Sequence, residues 1–110
     1  MSAPDSALDA LPGSDLVLRG LDDLAHARAT PEAALIEIAR TRLRSLGVAV
    51  AEATTGDGDA EIRLYARLGA RHPDRDPYLV YGAWLDQLDS FLCALARRSE
   101  SSRESRPRRA

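Results

Sequence analysis

Apolar residues recur along this chain with the period of an α-helix, in four separate runs. The clearest is Pro77–Arg98, PYLVYGAWLDQLDSFLCALARR. At about 100° per residue, Tyr81, Trp84, Leu85, Phe91, Leu92 and Leu95 all lie within about 60° of Leu88, while Asp86, Ser90 and Arg97 lie opposite. Asp76-Pro77 supplies the start, with Asp as N-cap and Pro at the first helical position, where its missing N–H leaves nothing unpaired. Arg97-Arg98 complement the negative end of the helix dipole. Charges interrupt the stripe well before the run of about 20 apolar residues that a membrane span needs.

Three weaker runs precede it. Ser14 is the expected N-cap of a helix over residues 15–28, with Val17, Leu21 and Leu24 inward and Arg19, Asp22, Asp23 and His26 outward. Gly20 weakens this helix by up to about 1 kcal/mol relative to Ala, unless a neighbouring helix packs close there. Thr30-Pro31 opens a second helix over 31–46, with Leu35, Ile36, Ala39, Leu43 and Leu46 on one face and Glu37, Arg40 and Arg44 outside. Arg42 falls at the edge of that face, expected to snorkel to water or to meet a carboxylate such as Asp23 or Asp89. Gly47 ends the helix, with Val48 placed to complete a Schellman cap. Residues 48–58 read as a loop. Asp59 or Asp57 caps a third helix to about residue 71; Leu64, Tyr65 and Leu68 face inward, Ile62 lies near them, and Arg63, Arg67 and Arg71 face water. Short links place the first two and the last two helices antiparallel.

The predicted fold is therefore all-α: a small four-helix antiparallel bundle over residues 14–98. A flexible arm (1–13) precedes it and a disordered Arg/Ser-rich tail (99–110) follows. At 110 residues the chain suffices for one core. With 45% hydrophobic and 29% charged residues, it belongs with folded soluble domains.

Charge is unevenly placed. Residues 1–95 carry 9 Arg against 15 acidic residues, and residues 96–110 carry 6 Arg against 2 Glu, so an acidic body (−6) bears a basic tail (+4). All 15 basic residues are arginine. That excludes a P-loop lysine, Schiff-base chemistry and Ser-Lys dyads. Cys93 is the only cysteine, so no disulfide forms within the chain. The amino terminus has neither a basic n-region nor a long apolar h-region, and the expected setting is a bacterial cytoplasm.

Few residues suggest chemistry. His26 and Asp22 are spaced i,i+4 on a polar face, which reads as a surface contact without the third partner a site needs. His72, ahead of Pro73, reads as a helix-ending turn, and His26, His72 and Cys93 match no zinc spacing. Asp57, Asp59 and Glu61 alternate like a calcium loop, but its sixth and twelfth positions fall on Ile62 and Leu68. No nucleophile–base–orienter set can be assembled and no cofactor is expected, so the chain is read as a non-enzyme.

What remains is surface. Tyr78, Tyr81 and Trp84 cluster at the start of the last helix, where large rings with polar tips suit an interface or simply the core. This helix outreaches its neighbours, so apolar surface should stay uncovered at its Tyr78–Trp84 end or its Phe91–Leu95 end. The leading expectation is a helical interaction or adaptor module that forms a homodimer or docks a protein partner through Tyr78, Tyr81, Trp84 and Phe91. The alternative is polyanion or nucleic-acid binding by Arg97, Arg98, Arg103, Arg106, Arg108 and Arg109. No aromatic interleaves those arginines, and the acidic body would repel a duplex.

Overall fold

The computed structural model describes residues 10–104, with side chains through residue 98. Among these it contains four helices and no strand: α1 (Ser14–Ala25), α2 (Pro31–Ser45), α3 (Ala60–Arg71) and α4 (Pro77–Glu104). Consecutive helices pack on one another, and α4 also reaches back to α1 and α2. The core gathers Val17 and Leu24 of α1, Leu35, Ile36 and Leu43 of α2, Leu64 and Leu68 of α3, and Leu88, Phe91, Leu92 and Leu95 of α4. No helix among the described residues is long and apolar enough to cross a membrane.

The boundaries follow local chemistry. Thr30 caps α2 by accepting from the Ala33 N–H at 3.1 Å, with Pro31 at the first position. Its hydroxyl also donates to Asp23 at 2.8 Å, tying the α1–α2 link together. Asp76 starts α4 by accepting from the Tyr78 N–H at 3.0 Å. At the end of α2, the Val48 N–H bonds the Leu43 carbonyl and the Gly47 N–H bonds that of Arg44, both at 3.0 Å. This is the expected Schellman cap, with Gly47 at φ +93°. The cap of α1 is Gly13 rather than Ser14, which is itself the buried first residue of the helix. Gly13 holds φ +76°, and a Cβ there would lie 2.5 Å from the Gln87 carbonyl oxygen of α4. That contact ties the entry to α1 against α4. Leu11, in the predicted arm, packs on the core, and residues 1–9 lie outside the described residues.

Two boundaries differ further from expectation. Helix α1 ends at Ala25, with Ala27 at φ +54°. The Ala27 N–H bonds the Leu24 carbonyl at 3.0 Å and the Arg28 N–H bonds that of Asp23 at 2.8 Å. This is a second Schellman cap, built on a residue whose Cβ disfavours the left-handed region. Ala27→Gly should therefore raise the unfolding free energy by roughly 0.5–1 kcal/mol in urea denaturation. No gain would mean that this turn relaxes without strain. Helix α4 continues to Glu104, six residues past Arg98, into the predicted tail. Its apolar period stops at Leu95, but no Gly or Pro interrupts the chain before Pro107, and adding residues to a formed helix costs little. Residues 105–110 lie outside the described residues.

Candidate interaction surface

Several charged residues expected in water are partly enclosed instead, Glu37, Arg40, Arg63 and Arg67 among them. Arg63, Arg67 and Arg71 of α3 turn towards α2 and bind it rather than facing away. Glu37 of α2, its side chain only 5% exposed, accepts from Arg63 Nη1 at 2.9 Å, Thr54 Oγ1 at 3.1 Å, Thr55 Oγ1 at 2.5 Å and the Thr55 N–H at 3.2 Å. Burial alone pushes its carboxyl pKa up. The bonds from Arg63, Thr55 and Thr54 more than offset this and hold the value at about 2, against an ordinary 4.5. Arg67 donates to the Thr30 carbonyl at 2.9 Å, to Thr55 Oγ1 at 2.9 Å and to the Thr55 carbonyl at 2.7 Å. Burial, followed by the neighbouring Arg63 charge, lowers its pKa. Arg71 pairs with Glu32 at 2.6 Å.

Arg40 and Arg44 also turn inward on the loop. Arg40 donates to the carbonyls of Glu52 and Ala53, and Arg44 to that of Val50 at 2.7 Å. The 48–58 loop is thus strapped across α2 and α3 by arginines donating to its backbone carbonyls. These groups are committed to holding the fold together.

The residues singled out for chemistry stay apart. His26 caps α1 and contacts the Asp22 carbonyl at 2.9 Å, while Arg28 bridges Asp22 and Asp23. His72 caps α3. Cys93 is exposed on α4, and so is Arg42 on α2, which resolves that residue in favour of water. Among the described residues no three His, Cys, Asp or Glu side chains converge to hold a metal ion.

The four aromatic candidates divide. Phe91 is fully buried at the centre of the core and offers no contact surface. The Phe91–Leu95 end of α4 is covered: Phe91, Leu92 and Leu95 are all buried. Tyr81 and Trp84 are half-buried against the core edge, and Tyr81 meets Tyr65 of α3 edge-to-face with ring centroids 5.8 Å apart. Tyr78 is 67% exposed. Sequence reasoning missed its neighbour Leu79, which is 68% exposed. A signal for it existed: Leu79 lies about 180° from Leu88 on the helical wheel, an aliphatic side chain in the middle of the polar face.

Leu79 and the exposed Ala83 form a ridge with a shallow groove on either side. One groove, about 460 Å³, is lined by Arg75, Asp76, Val80, Trp84 and Gln87. The other, about 430 Å³, is lined by Tyr78, Tyr81, Gly82, Leu85 and Asp86. Nothing lies within 4 Å of the place a Cβ would occupy at Gly82. Arg97 and Arg98 are exposed further along α4, the Arg103 backbone lies within the same helix, and Arg106, Arg108 and Arg109 are outside the described residues.

Comparison of the chain with protein-family models, with curated protein sequences and with solved structures finds no match.

Proposed function

We propose that this chain is a small non-enzymatic interaction module: a four-helix antiparallel bundle whose docking surface is the first half of α4. One observation carries the reading. Tyr78 and Leu79 stand two-thirds exposed, side by side, on a helix whose other half supplies the centre of the core. Isolated exposed apolar residues need no explanation, but here Leu79 borders half-exposed Val80 and Trp84 in one groove and Tyr78 and Tyr81 in the other. The patch is preorganised, because Trp84 and Tyr81 are seated against the core, so little side-chain freedom remains to be lost on binding. The arginines and glutamates of α2 and α3 that pair across the fold, Glu32, Glu37, Arg40, Arg63, Arg67 and Arg71, are occupied in bracing it, whereas Tyr78 and Leu79 brace nothing among the described residues.

The test is site-specific photo-crosslinking in the cells that make the protein. A photoreactive residue at position 79 should give a discrete protein adduct, while the same probe at exposed Asp22 on α1 should give none. Absence of an adduct at 79, or equal labelling at both positions, would remove the reading.

A further inference from the structure

We infer that the groove beside Glu32, between α1, α2 and α4, is a binding site for a primary ammonium group on an alkyl stem. It adjoins the docking patch proposed on α4 through Gln87, which lines grooves on both, and it stands whether or not that patch binds.

Two glutamates of α2 are equally buried but unequally satisfied. Glu32 and Glu37 each have a side chain 5% exposed. Glu37 accepts four hydrogen bonds, shared between its two oxygens. Glu32 accepts one, from Arg71 Nη1 to Oε2 at 2.6 Å, and its Oε1 is buried with no donor among the described residues. A carboxylate oxygen taken out of water and given no donor is destabilising, so this atom calls for a partner.

Space for that partner lies alongside. A groove of about 460 Å³ is lined by Glu32, by Asp15, Leu16, Leu18 and Arg19 of α1, and by Gln87 of α4. Asp15 is exposed in the first turn of α1 and enters no ion pair among the described residues. The Gln87 amide offers a further acceptor oxygen. Leu16 and Leu18, both half-buried, supply apolar wall.

A neutral N–H or O–H would satisfy Glu32 Oε1, but a cationic donor also answers Asp15, and hydrogen bonds between ions are the stronger kind. Oε1 is itself buried, so the entering group must turn aside an exposed rim side chain, Arg19 or Gln87. That favours the compact ammonium over the broad plane of a guanidinium. The chain has no lysine, so none of its own side chains carries an ammonium. Arg19 is the chain's own competitor, yet it is exposed and pairs with neither Glu32 nor Asp15.

The probe is n-butylammonium chloride, titrated into the full chain at constant ionic strength and followed by amide NMR shifts. Shifts at Asp15, Leu16, Arg19 and Gln87 should saturate with a Kd of about 1–10 mM. The same stem without the charge, n-butanol, should bind about tenfold more weakly. Asp15→Asn, at an exposed position, should weaken binding about threefold, and Glu32→Gln about tenfold. Glu32 also holds Arg71, so Arg71→Gln is the matching control. It loosens the same brace but leaves the carboxylate, and it should tighten binding, whereas a purely structural role for Glu32 would make it weaken. Nα-acetyl-lysine amide in place of butylammonium separates the sources: binding about tenfold tighter assigns the site to a lysine of a partner protein, and equal binding to a free amine. No saturation by about 100 mM overturns the site. So does equal binding of n-butanol, or full binding by Glu32→Gln. Binding that appears only in Arg19→Ala also overturns it, because Arg19 is then the occupant.

Discussion

Replacing Glu37 with alanine should lower the unfolding free energy by about 2–3 kcal/mol, because part-buried Arg63 loses its carboxylate and keeps only the Gly58 carbonyl and the Thr55 hydroxyl. Glu37 and Arg63 are 5% and 13% exposed at the side chain, so neither recovers full hydration when the other is removed. The loss spreads beyond the pair, because Thr54 and Thr55 donate to the same carboxylate and Arg67 is positioned on Thr55. In a domain whose total stability is about 5–15 kcal/mol, this variant populates unfolded chain visibly in mild urea. Arg63→Ala should cost less, because Thr54 and Thr55 still satisfy Glu37. The double variant should be far more stable than the summed single losses imply, with a coupling of about 2 kcal/mol. Additive losses, or a Glu37→Ala cost below about 1 kcal/mol, would show that the network is ornamental.

The same carboxylate sets an acid limit. Its folded pKa of about 2 lies below the ordinary 4.5, so the folded state binds a proton less readily than the unfolded one. The contribution is present above the unfolded value of 4.5, declines as pH falls below it, and is lost as pH falls through the folded value of about 2. A shift of this size corresponds to roughly 3 kcal/mol over that window. Urea titrations of the parent should fall steeply between about pH 5 and pH 2, and Glu37→Gln should flatten that slope. An unchanged slope would assign the acid sensitivity to other carboxylates.

Helix starts and stops were legible in the sequence because they depend on local chemistry: Thr30-Pro31, Asp76-Pro77 and Gly47 each act within four residues of themselves. The inward turn of Arg63 and Arg67 was not legible. On α3 alone they fall on the polar side, and only the return of the 48–58 loop across α2 encloses that side with polar partners. Phe91 and Trp84 share one stripe on the wheel, so periodicity cannot say which is covered. Tertiary packing decides it, burying Phe91 fully and leaving Tyr81 and Trp84 only partly covered. Tyr78 stands about 80° off the stripe, so its angle alone marks it as a surface aromatic; Leu79, about 180° off, sits among polar residues where periodicity assigns it neither to the core nor to an interface.

Gly20 separates local propensity from packing most sharply, because the two predict opposite signs. Propensity alone makes Gly20→Ala stabilising by up to about 1 kcal/mol in a helix interior. Packing reverses this. Gly20 lies on the buried face of α1 with Val17 and Leu24, directly on α2. A Cβ there would overlap Ile36 Cγ1 and stand 2.6 Å from the Glu32 carbonyl oxygen. Ile36 is fully buried and has nowhere to retreat, and the carbonyl belongs to the first turn of α2. Moving that turn displaces Glu32 from Arg71 and strains the Thr30 cap that Arg67 also holds. Gly20→Ala should therefore destabilise by about 1–2 kcal/mol after the propensity gain is subtracted, and Gly20→Leu by roughly 3 kcal/mol or more. Ile36→Val in the Gly20→Ala background removes only Cδ1, 3.1 Å from that Cβ position, and leaves both the Cγ1 overlap and the carbonyl clash, so it should not restore the parent's stability. If Gly20→Ala raises the urea midpoint instead, α1 and α2 do not cross as closely as the structure places them. The bracing of α2 by Arg67 and Arg71 would then have to be reconsidered along with that crossing.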